Sequence, residues 1–177
     1  MYAVEQQKHT GINLYSAAKY FDFFVTVSFI ANNSEKVHYK DIYYPAAIVK
    51  FLKSLEPEKS PVILFGGNGT EHRYTYDPPL DSRLWLWEAA AIGGGYWNCY
   101  FNGDFPSNTL DRRNAYLATD AYTYIEENLE LIDAIQPVTD IAIYYSKASG
   151  ELLGDHDFSF PMQGILRLLE EEHFQYS

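Results

Sequence analysis

The chain has 177 residues, 47% of them hydrophobic and 21% charged, so it can bury a core and is not disordered by composition. Its formal net charge is -11 with no block rich in Lys or Arg, which argues against nucleic acid and against anionic membrane as partners. One cysteine excludes an internal disulfide framework and a thiolate zinc site, and the five histidines are scattered without metal-ligand spacing, so no metal or other cofactor is expected.

In chain order, "MYAVEQQKHTGINLYSAAKY" reads as a helix with no strand before it. "FDFFVTVSFIA" (21–31) is rich in β-branched and aromatic residues and predicts a buried strand, with Phe23, Val25, Val27 and Phe29 on one face and Phe24, Thr26 and Ser28 on the other. "YPAAIVKFLKSLEP" predicts a helix that Pro45 starts and Pro57 follows. "SPVILFGGNG" is a continuous apolar run closed by a Gly-rich turn, a second buried strand. "PLDSRLWLWEAAAIGG" predicts a helix N-capped by Asp81 and stopped by glycines, and "GYWNCYFNG" a third strand. "SNTLDRRNAYLATDAYTYIEENLELIDAIQP" reads as one long helix with Leu117, Ala121, Ile125, Ile132 and Ile135 in its apolar stripe. "VTDIAIYYS" predicts a fourth strand. "FPMQGILRLLEEEHF" predicts a last helix, with Met162, Ile165, Leu166 and Leu169 on one side.

Strand and helix thus alternate four times, which predicts an α/β fold with a mostly parallel sheet: part of a (β/α)₈ barrel or a small doubly wound sheet. The chain ends just after a helix that would normally feed another strand. Both ends read as cut, and the expectation is a piece of a larger architecture or a domain that needs a partner. No apolar run reaches the ~18 residues of a membrane helix and no signal-peptide core opens the chain, so a cytoplasmic location is the default expectation.

The order "PVILFGGNG … RLWLWEAAAIGGGYWNCYFNGD … LDRRNAYLATDAYTYIEENLELIDAIQPVTDIAIYYS" resembles the last barrel strands of β-galactosidase-like glycoside hydrolases of the family 42 type and related hypothetical glycosyl hydrolases. The resemblance implies a partial (β/α)₈ TIM barrel over residues 1–136. It also implies that 137–177 open a glutamine-amidotransferase-like domain, the first βα unit of a flavodoxin-like fold. Such domains often take part in oligomerisation, so a homo-oligomer is among the expected states. The implied function is a carbohydrate-active protein that acts on or binds β-linked glycosides. The alternative is a non-catalytic α/β module for sugar binding or assembly. In the family pattern the seventh strand ends in a nucleophilic glutamate, where this chain has Phe65, Gly66 and Gly67. The strand that would carry the acid/base glutamate is absent. A glycosidase needs two carboxyls at a defined separation. Hydrolysis is therefore expected of a full-length context rather than of this chain alone.

In a barrel the C-terminal ends of the strands face the ligand. The first strand leads to Asn32, Asn33, Glu35 and His38. The second leads to Asn68, Glu71, His72 and Arg73, and the third to Tyr100, Asn102 and Asp104. Glu71 and Asp104 are the candidate catalytic carboxylates. Asn68, His72, Arg73, Tyr100 and Asn102 are the candidate substrate-binding residues for a carbohydrate ligand. Each has a plainer reading: Glu71 as a solvated loop glutamate, Asp104 as a turn former after Asn-Gly. Trp97, at the start of its strand, reads as core rather than as a sugar platform. Cys99 reads as a small buried hydrophobe.

Overall fold

A computed structural model describes residues 11–28, 42–65, 79–98, 113–153 and 155–177. These fall into two compact units. One is drawn from Met1–Asp22, Ser54–Pro57 and Pro137–Ser177, the other from Phe23–Lys53 and Glu58–Gln136.

The second unit holds the sheet. Strands β1 (Phe24–Ser28), β2 (Pro61–Phe65) and β3 (Gly95–Asn98) are parallel in the order β1-β2-β3. The α/β class and its parallel sheet are therefore as the sequence predicts. Helix α2 (Tyr44–Leu55) lies between β1 and β2 in the chain, and α3 (Pro79–Ala91) between β2 and β3. (The short N-terminal helix is α1, Leu14–Ala17, followed by a 3-10 turn at Ala18–Tyr20.) Pro45 suits the first turn of α2, where a missing N–H costs nothing. Helix α3 starts at Pro79, ahead of the expected N-cap at Asp81, again with proline in the position that tolerates it.

Registers Thr26↔Ile63 and Ile63↔Tyr96 place these three side chains on one face, with Phe24 and Pro61 two residues earlier on the same side. That face is the covered one: Phe24, Pro61 and Ile63 are buried, and Tyr96 packs against Leu86, Ala118 and Ala121. The opposite face carries Val25, Val62, Leu64 and Trp97, of which Val25 is 43% and Trp97 55% exposed. On that face Val62 and Leu64 of the central strand are half-buried while the flanking strands are more open, and Phe23, expected within a buried strand, is more than half exposed.

Helix α3 buries two neighbouring sides. Trp85 stacks on Tyr44 of α2 with ring centroids 5.8 Å apart, while Leu86 meets Ala118 and Ala121 of helix α4 (Arg113–Glu127). The long helix expected after residue 107 is broken within the described residues. It ends at Glu127, and a short α5 follows over Leu129–Asp133. Asn128 makes the break: its side-chain Nδ2 donates to the Tyr124 carbonyl at 2.8 Å, and its backbone N–H is shared between the carbonyls of Tyr124 and Ile125. Asparagine competes with the helix ladder in this way wherever its amide reaches back one turn.

The first unit departs further from expectation. "VTDIAIYYS" forms no strand of the sheet. Among the described residues its ladder is a single isolated parallel bridge, Ile141↔Tyr176. Ser177 N donates to the Ile141 carbonyl at 2.9 Å and Ile143 N to the Ser177 carbonyl at 2.8 Å. Between these partners lie helix α6 (Lys147–Leu153), which the sequence reading missed, and α7 (Asp155–Glu171). Ser146 caps α6, accepting on its Oγ from Ser149 N at 3.1 Å. On α7, Met162 is buried and Leu166 and Leu169 are partly covered, but Ile165, expected on the same side, is exposed.

The segment after α7 is held by Tyr176, which is 2% exposed and donates its hydroxyl to Glu170 Oε1 at 2.6 Å. His173, in the left-handed region at φ 60, turns the chain there, and Phe174 N closes onto the Leu169 carbonyl at 2.8 Å. Tyr176→Phe keeps the ring and removes a hydrogen bond to a carboxylate, so it is expected to destabilise this unit by about 1.5–3 kcal/mol. Hydrogen exchange should show the Ser177 and Ile143 amides losing protection first. Unchanged protection at both would mean that the phenol does not hold the bridge.

Candidate functional site

Ser28, Phe65 and Asn98 are successive register partners on the C-terminal side of the described strands. Parallel pairing with no offset makes this so, and in open or closed parallel sheets it is the side where ligands are bound. The candidates Asn68, Glu71, His72, Arg73, Tyr100, Asn102 and Asp104 all lie outside the described residues, as do Asn32, Asn33, Glu35, His38 and Cys99. The structure brings none of them into a described geometry. It describes the strands that precede them in the chain.

Trp97 is the described residue on which the sequence reading needs changing. It was expected in the core. Alternation along β3 turns Tyr96 to the packed helices, and Trp97, one residue on, to the open face beside its register partner Leu64. An indole that keeps 55% of its surface exposed is a flat apolar ring available to a ligand.

The entry into β3 is fixed by a glycine turn. Gly93 has φ +72, which favours glycine, and its carbonyl accepts from Lys53 Nζ of α2 at 3.3 Å. This lysine caps the carbonyl end of α3, where the helix dipole favours a cation. On the far side of β3, the Tyr122 hydroxyl of α4 donates to the Tyr96 carbonyl at 3.0 Å. Arg83 of α3 and Asp120 of α4 pair at 2.5 Å, half exposed, and this link contributes little to stability. Lys53 thus holds the turn before β3, and Tyr122 holds the strand itself.

In the other unit the hydroxyl-bearing rings gather. Burial, and then the neighbouring phenols of Tyr145 and Tyr144, push the Tyr15 phenol up to about 12. Lys147 Nζ lies 6.0 Å from the Tyr15 ring centroid and 3.2 Å from Glu151 Oε1. Free tyrosine titrates near pH ~10. The folded value lies above the unfolded one, so this contribution to stability is fully present below pH ~10 and is lost as pH rises through the folded value. The phenolate difference spectrum between the parent and Tyr15→Phe should therefore have its midpoint well above pH ~10. Tyr15 keeps 38% of its surface exposed, so a midpoint at the ordinary tyrosine value would refute the partial burial of this ring and its crowding by Tyr145 and Tyr144.

Among the described residues no group of three or more His, Cys, Asp or Glu side chains could hold a metal ion, and no helix is long and apolar enough to cross a membrane. Comparison with known proteins finds no matching family model, no matching curated protein and no matching solved structure.

Proposed function

We propose that the chain is a carbohydrate-active, glycoside-hydrolase-like protein that acts on or binds β-linked glycosides at the C-terminal edge of its parallel sheet. The observation that carries the reading is Trp97, half open on the less covered sheet face, where β2 and β3 run in register toward their C-terminal ends. Sugar sites combine a flat apolar surface with a few fixed polar groups. The segments that follow these two strand ends carry Glu71, His72 and Arg73 in one case and Asn102 and Asp104 in the other. The sequential parallel order β1-β2-β3 is what part of a (β/α)₈ barrel would have, and the less covered face would be its interior. The parallel bridge Ile141↔Tyr176, spanning α6 and α7, supports a βα unit that begins a second, flavodoxin-like domain after Gln136.

The second reading, a non-catalytic sugar-binding or assembly module, is favoured by one observation: the sequence has Phe65, Gly66 and Gly67, and no carboxylate, where the glycosidase resemblance calls for a nucleophile. Turnover separates the two. The parent and three variants, Trp97→Ala, Glu71→Gln and Asp104→Asn, would be titrated calorimetrically with β-galactosides and β-glucosides and assayed for release of the sugar. Loss of an aromatic platform is expected to weaken binding about five-fold, or about 1 kcal/mol. Loss of a general acid or base is expected to cut turnover ~10²–10⁴-fold at unchanged melting temperature. Binding without turnover, in a protein that also carries the strand with the acid/base glutamate, selects the module. If the parent binds no β-glycoside, or all three variants match it, the carbohydrate reading is wrong.

A further inference from the structure

We draw no further inference here: the strongest candidate, the exposed apolar stripe of Pro161, Ile165 and Leu168 beside Gly164 on the outer side of α7, carries nothing because nothing in the structure shows what covers it.

Discussion

Replacing Trp85 by alanine is expected to cost about 3–5 kcal/mol, the range for emptying a buried aromatic site. Trp85 is 1% exposed and is the largest fully buried side chain among the described residues. Its ring joins α3 to Tyr44 of α2, which is itself buried, so neither helix can close over the vacated volume without moving off the sheet. A domain of this size has a total stability of about 5–15 kcal/mol, so the loss is a large share of it. The melting temperature should fall by roughly 6–20 °C. Trp85→Phe keeps a ring against Tyr44 and should cost less. Fluorescence gives an independent reading, because the chain has three tryptophans and Trp87 and Trp97 are both more exposed than Trp85. Emission from Trp85→Ala should shift to longer wavelength even in the folded state. A loss under about 1 kcal/mol, with unshifted emission, would mean that α2 and α3 are not joined through this stack.

The elements of the sheet-bearing unit were legible because each is marked locally. Pro45 and Pro57 bracket α2, the run "PVILF" has no polar break, and Gly93 and Gly94 stop α3. What alternation does not carry is which face of a strand the helices take. Phe23, Val25 and Trp97 are as apolar as Phe24 and Ile63, and the covered face is decided by where α3 and α4 pack. Residues 137–145 show the other limit. Their period of two survives in the structure, with Thr139, Ile141, Ile143 and Tyr145 more covered than Val138, Asp140, Ala142 and Tyr144. A strand also requires a ladder partner, and β-propensity does not supply one. The break at Asn128 was hidden because the apolar spacing from Ile125 to Ile132 runs on across it, although an asparagine in mid-helix was the available signal. Of the candidate site, the sequence could place the residues after neighbouring strands, and β2 and β3 are neighbours paired in parallel. Trp97 departs from the core because alternation along β3, and not its place in the strand, sets its face.

Gly94→Ala is the substitution that tests the glycine turn most directly, and it is expected to cost about 1–3 kcal/mol through overpacking. A Cβ at Gly94 would stand 2.8 Å from Val49 Cγ2, 3.1 Å from Val49 Cγ1 and 3.1 Å from the Ala89 carbonyl oxygen. Val49 is fully buried in α2 and cannot swing aside, and Ala89 belongs to the backbone of α3, so the strain falls on the approach of two helices to the start of β3. At Gly93 the obstacle is different. A Cβ there would meet the flexible tip of Lys53 at 2.6 Å, which can move, but the φ of +72 would strain any side chain. The two origins separate in a double-mutant cycle with Val49→Ala. Removing the two methyl groups makes room for a Cβ at Gly94, so the Gly94→Ala/Val49→Ala pair should be more stable than the two single losses added together, by an interaction of about 1 kcal/mol. The same partner should give no such relief to Gly93→Ala. Chemical denaturation of the parent and the five variants, with equal m-values, decides it. Strict additivity at Gly94 would mean that α2 does not press on the turn, and that the missing side chain serves backbone freedom alone.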